Sequence, residues 1–149
     1  MKARREIVWW TVIGLTTAVI WAFSLFGRDL SRMQSESVQG FLGSLFGEWI
    51  YTTFLYQNIR KVAHFAEYCL LGAEWMGYRL TVRGARRPAW WVVLVAGPLT
   101  ATCDELLQFV SARAPRVTDV LLDSVGCFCG MVIVLGIAFF WQKKYSAGK

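Results

Sequence analysis

"RKVAHFAEYCLLG" (residues 60–72) contains the only histidine of the chain, His64, and three residues later a glutamate, Glu67. Both lie in a run that is otherwise apolar enough for a membrane helix. Steps of three, four and three join His64, Glu67, Leu71 and Glu74, so a helix here carries them on one face. An imidazole and carboxylates along one stripe of an apolar helix are costly in lipid and need partners from neighbouring helices.

The 149 residues suffice for one compact unit, and we read 1–149 as a single membrane domain. Apolar residues make up 56% and charged residues only 17%, against roughly a quarter charged in a soluble domain. Tryptophan favours the membrane–water boundary, and eight of them fit that class. The net charge is +6, but the basic residues sit in short clusters between hydrophobic runs. Topology signals and anionic lipid account for that pattern, and no nucleic-acid partner is expected. Cys69, Cys103, Cys127 and Cys129 form no C-x-x-C pair and lie in apolar stretches, so they read as small buried hydrophobes.

A helix needs about 20 apolar residues to span a bilayer. Four stretches qualify: Ile7–Phe26, Val62–Leu80, Pro88–Val110 and Val120–Trp141. The first follows Lys2, Arg4 and Arg5 but is longer than a signal-peptide core and lacks a small-x-small site, so it reads as an uncleaved crossing. Pro88 suits a first helical turn, and Gly97-Pro98 should kink the third crossing. Lysine and arginine then set the direction. Lys2, Arg4, Arg5, Arg79, Arg83, Arg86, Arg87, Lys143, Lys144 and Lys149 fall on one side, against Arg28, Arg32, Arg60, Lys61, Arg113 and Arg116 on the other. The richer side is cytoplasmic, so both termini are expected there. In the outer segment 27–59, "GRDLSRMQSESVQG" reads as loop. "FLGSLFGEWIYTTFLYQ" (41–57) reads as an interfacial or re-entrant helix, with a fifth crossing as its rival. The expected fold is all-α, a four-transmembrane-helix bundle.

In this topology three helix ends meet at the outer leaflet, and the polar residues gather there. "CDELLQ" supplies Asp104 and Gln108 one turn apart, with Glu105 turned away by about 100°. "TDVLLDSVGCFCG" places Asp119, Asp123, Gly126 and Gly130 at steps of four, three and four. Gly126 and Gly130 form a G-x-x-x-G, which lets another helix approach closely and would bring these acids toward the other two helices. The connecting "SARAPR" adds Arg113 and Arg116. The pattern is open between a self-satisfied network that locks helices together and an outward-facing site. His64 and Glu67 are half a metal site by spacing, but no second histidine or H-E-x-x-H completes it, so neither metal nor cofactor is expected. Glu74 lies deeper. It reads as snorkelling toward Arg79, with a proton or ion path along the helix as the sharper alternative, interrupted by Leu71.

The ordered set "RKVAHFAEYCLLG", "DELLQFV", an arginine-bearing loop and "TDVLLDSVGCFCG" resembles the VanZ-like family of small bacterial membrane proteins. "MQSESVQGFLGSL" resembles the serine-bearing stretch that often precedes these motifs. The resemblance implies a four-helix protein of the bacterial envelope, with founding members associated with teicoplanin resistance. It maps the family's polar positions onto Lys61, His64, Glu67, Tyr68, Asp104, Glu105, Gln108, Arg113, Asp119 and Asp123. "FVSAR" departs from it, since relatives often carry Pro-Gly before the arginine.

Three functions compete. One is an interaction protein whose outer cavity, lined by these residues and Arg116, holds a polar headgroup, a cell-wall precursor or an amphiphilic glycopeptide, with membrane lipid as its surroundings. Another is a hydrolase or transferase on a lipid-linked substrate, with His64 oriented by Glu67 as base and Asp104 or Asp123 as a second acid–base group. The third is a structural bundle. Oligomeric state is left open.

Overall fold

The computed structural model describes residues 2–25, 28–82, 84, 87–110 and 116–146. Among the described residues it is all-α. Helix α1 spans Lys2–Leu25, α2 Arg28–Phe46, a 3₁₀ turn Glu48–Thr52, α3 Phe54–Gln57, α4 Ile59–Thr81, α5 Trp90–Val110 and α6 Val117–Ser146.

Contacts between helices fix their directions. Near the start of α1, Trp9 donates its indole N–H to Thr81 Oγ1 at 2.8 Å, and Trp10 meets Trp75 and Tyr78 edge to face. Halfway along, Thr16 Oγ1 donates to Glu74 at 2.7 Å. Near its end, Ser24 lies against Asp104. Helix α1 is therefore antiparallel to α4 and parallel to α5. Gly126 faces the Phe65 carbonyl and Gly130 the Cys69 carbonyl, so α4 and α6 run parallel. The four long helices alternate up and down, and the starts of α4 and α6 lie at the same end as the close of α5.

Three helical stretches are long and apolar enough to cross a membrane: Arg4–Leu25, Trp90–Val110 and Val117–Lys144. Helix α4 has 23 residues, but its charged side chains keep it out of that group. The surface is turned inside out relative to a soluble protein. Leu15, Leu99, Val132, Ile137 and Phe140 are exposed, whereas Asp104, Glu105, Gln108 and Asp123 are buried. Lipid outside and polar groups inside is the arrangement a bilayer demands.

Two expectations for the segment after α1 are corrected. "DLSRMQSESVQG", expected as loop, is the body of α2. It contains no proline, its polar residues are tolerable in a helix, and Leu30, Met33, Gln34, Ser37 and Val38 recur at helical spacing on one face. Polarity masked that period. Stretch 41–57, expected as one interfacial or re-entrant helix with a fifth crossing as its rival, is divided among the end of α2, the 3₁₀ turn and α3. The break is Gly47, whose φ of 77° lies in the left-handed region that glycine enters without a side-chain clash. Helix α5 begins two residues after Pro88 and continues through Pro98.

The tightest packing is between α4 and α6. A Cβ on Gly126 would stand 2.6 Å from the Phe65 carbonyl oxygen. One on Gly130 would overlap the Cys69 carbonyl, and one on Gly72 the Cys127 carbonyl. The expected G-x-x-x-G contact is thus present, and Gly72 answers it from α4. Gly97 of α5 opens room for the Cys127 thiol. We expect Gly130→Ala to destabilise the protein by about 1–3 kcal/mol, because backbone and not a flexible side chain must move. Gly136→Ala, where a Cβ meets nothing, should leave stability unchanged. Thermal unfolding of both variants in the same detergent checks this.

Candidate functional site

The polar ends of α4, α5 and α6 converge. His64 Nδ1 lies 4.0 Å from Asp104 Oδ2, and with one oxygen of Asp123 these atoms all fall within 4.8 Å of one another. Asp104 is 0% exposed and Asp123 1%; the His64 side chain keeps 18%. The residues come from three helices, 40 and 19 positions apart in sequence. The distance of 4.0 Å is too long for a hydrogen bond.

Around this centre the partners are graded. Gln108 Nε2 donates to Asp104 Oδ2 at 3.2 Å, and Arg60 donates to Gln108 Oε1 at 3.4 Å. Ser24 of α1 is a further hydrogen-bond partner of Asp104. Glu105, offset by about 100° from Asp104 on α5, accepts the Arg116 backbone N–H at 2.7 Å, which ties the start of α6 to α5. Among the described residues, the buried atoms of this region without a hydrogen-bond partner include His64 Nδ1, Asp104 Oδ1, Asp123 Oδ1, Glu105 Oε1 and the Tyr68 hydroxyl.

Two cavities meet here. A polar pocket of about 100 Å³ is lined by Arg60, Lys61, His64, Glu105, Gln108, Arg116, Asp119, Leu122 and Asp123. An apolar groove of about 720 Å³ runs between α2 and α4 past Phe23, Leu30, Met33, Val38, Ala63 and Ala66. Arg60 and His64 line both.

The sequence-predicted residues therefore divide. Lys61, His64, Glu105, Gln108, Arg116, Asp119 and Asp123 reach the pocket, and Asp104 lies directly beneath it against His64. Tyr68 is fully buried, with Asp104 and Asp123 as its charged neighbours. Glu67 lines the groove. It does not orient His64, whose carboxylate neighbour is Asp104; two side chains three apart on a rigid helix project side by side. Arg113 lies outside the described residues.

Glu74 is not paired with Arg79. Its carboxylate takes the Thr16 hydroxyl, while Arg79 donates to the Pro88 carbonyl and stacks 3.7 Å above the Trp90 ring. No partner on α1 was considered in the sequence, because Thr16 sits in an uninterrupted apolar run.

Arg60 and Ser24 escaped the sequence reading. Arg60 was counted only as a topology charge, although it precedes His64 by one helical turn on the same face. Ser24 carried no signal beyond being the last polar residue of α1.

A bundle of antiparallel helices, three of them long and apolar enough to cross a bilayer, with a buried polar centre at one end, has the architecture of a membrane protein. The match to the VanZ/LLP1 family model over residues 8–140 spans nearly the whole bundle, and the chain belongs to that family. No curated protein and no solved structure matches it.

Thr16→Val removes the one donor to a buried carboxylate and should lower stability by about 1–3 kcal/mol, while Thr16→Ser should restore most of it. Unfolding midpoints of the two variants, compared with the parent in one detergent, check the assignment.

Proposed function

We propose that this VanZ/LLP1 protein is a multi-pass protein of the bacterial cytoplasmic membrane that binds an amphiphile from the outer leaflet. Its headgroup sits in the polar pocket and its chain in the apolar groove. The observation that carries this reading is the meeting of the two cavities at Arg60 and His64. A polar cleft alone would suit many solutes; a polar cleft opening sideways into an apolar trough suits a molecule with both parts.

Helix α4 completes four crossings in this reading. It is 23 residues long and antiparallel to α1, and its charges face the bundle or lie near its ends. Such a helix is poor by hydropathy yet acceptable among neighbours that supply partners. The lysine and arginine bias puts both termini in the cytoplasm, which places the pocket at the outer surface. There Arg60, Lys61 and Arg116 present donors to an anionic headgroup. A lipid-linked cell-wall precursor fits that description, as does an amphiphilic glycopeptide of the teicoplanin type, and the latter would give the protein a part in glycopeptide resistance.

A second reading, a hydrolase or transferase on a lipid-linked substrate, is favoured by one observation. His64 faces Asp104 from another helix, and Asp104 is itself held by Gln108. Base and orienter then come from two elements, with Asp123 as the further acid–base group and Glu67 at the edge of the groove.

Native mass spectrometry of the protein released from nanodiscs tests the binding reading. Phosphatidic acid should be retained over a diacylglycerol with the same chains. Arg60→Ala should weaken that retention about tenfold, the loss of one charge-assisted bond of about 1.4 kcal/mol. Ala66→Trp, which fills the groove, should displace both lipids. Equal retention of both lipids by the parent and both variants defeats the reading. Competition by teicoplanin or by a lipid-linked precursor separates the ligand classes.

A further inference from the structure

We propose that His64, Asp104 and Asp123 form a binding site for one divalent transition-metal cation of the zinc or manganese type, with its open coordination positions facing the polar pocket. The site goes beyond amphiphile binding and does not depend on it.

The first argument is the donor set. One imidazole nitrogen and two carboxylate oxygens are ligands for such cations, and here they converge from three helices within 4.8 Å of one another. Ligand atoms about 2.1 Å from zinc stand ~3.4 Å apart in a tetrahedral shell. The donor atoms, all within 4.8 Å of one another, would draw together to that spacing around an ion by side-chain rotation.

The second argument is independent of the clustering. The atoms that would bind the ion are those left without partners. His64 Nδ1, Asp104 Oδ1 and Asp123 Oδ1 each lack a hydrogen bond, and Asp123 is 1% exposed. Glu74 and Glu105 also keep one unpartnered oxygen each, the other being held by Thr16 and by the Arg116 amide. At His64, Asp104 and Asp123, by contrast, unpartnered atoms from three helices adjoin one another. Tyr68, fully buried with an unpartnered hydroxyl beside Asp104 and Asp123, adds a donor for a bound oxygen.

The third argument is charge. Two carboxylates and a neutral imidazole around a divalent ion sum to zero, the least costly state for a centre surrounded by hydrocarbon. The remaining oxygen of Asp104 is held by Gln108, the outer-sphere support that ligating carboxylates commonly have. Beyond the ion lies the pocket of about 100 Å³, large enough for water or one ligand oxygen on the metal.

The test uses full-length protein in detergent without a polyhistidine tag. After chelator treatment and exchange, Zn²⁺ titration followed by mass-spectrometric metal analysis should give about one ion per chain. Asp123→Asn and His64→Gln should each lower affinity at least tenfold, whereas Glu74→Gln should not. Zn²⁺ should raise the unfolding temperature of the parent and of Glu74→Gln but not of the other two. Co²⁺ substitution should give visible d–d bands without thiolate charge transfer, a result that needs no variant to fold. Absence of stoichiometric Zn²⁺ binding by the parent overturns the proposal. So does unchanged affinity in both site variants, or a thiolate band that moves the ion to the cysteines.

Discussion

The bundle depends on a contact from which side chains are missing. Gly72, Gly126 and Gly130 let the backbones of α4 and α6 touch, at separations no Cβ would permit. In lipid there is no hydrophobic drive to hold helices together, since the surroundings are as apolar as the helices themselves. Close van der Waals approach and polar contact must do it instead. The glycine stripe of α6 continues one turn toward its start into Asp123 and then Asp119, and the facing stripe of α4 runs back through Tyr68 and Glu67 to His64 and Arg60. Once the glycines are in contact, those polar residues have to face one another. Helix α5 joins because Gly97 accommodates the Cys127 thiol, and that register carries Asp104 to the same level.

How the polar groups are satisfied separates a structural lock from a site. A lock satisfies each member, because a buried group left unpaired costs about as much as its bond would contribute. Away from the convergence point, Glu74, Arg79 and Glu105 each have at least one cross-helix or backbone anchor, though each keeps one unpartnered atom. Thr16 holds Glu74, Arg79 pins the turn into α5 through Pro88 and Trp90, and Glu105 fastens the start of α6. At His64, Asp104, Asp123 and Tyr68 unpartnered atoms lie on four side chains of three adjoining helices. Single unpartnered atoms occur elsewhere in the bundle, at Trp21, Glu74, Arg79 and Glu105, but among the described residues only here do several from three helices adjoin, which is what the proposed cation site rests on.

Much of this was legible beforehand, and what was not has a physical cause. The three most apolar helices, the G-x-x-x-G, and the stripes carrying His64, Asp104, Asp119 and Asp123 follow from periodicity, which is a property of one helix at a time. What failed was anything that depended on a second helix with no signal of its own. Thr16 and Ser24 look like ordinary members of an apolar run, yet each meets a buried carboxylate. The pairing of His64 with Asp104 rather than Glu67 required knowing which helix lies opposite. Helix α2 was missed for a different reason. Its polar residues suggested a loop, although their apolar companions recur at helical spacing.

The depth order of these groups bears on what kind of function is feasible. At the mouth of the pocket stand Arg60, Lys61, Arg116 and Asp119, and further in lie His64 and Asp123, with Asp104 beneath them. Below them the way is shut. Tyr68 and Leu71 are both 0% exposed, and the Gly72–Cys127 contact brings two backbones together at the next level. Glu74 lies beyond that plug with its own partner on α1 and lines neither cavity. A proton or ion path needs a continuous polar lining, and here the lining ends at packed tyrosine, leucine and backbone. Among the described residues, the pocket is backed toward the far side of the bundle by this packing and shares Arg60 and His64 with the groove. That packing is what the proposed reading, capture of a membrane-bound molecule from one side, would use. In the proposed reading, the groove wall that α2 supplies with Leu30, Met33 and Val38 is the side along which an amphiphile's chain would lie, with its polar end toward His64.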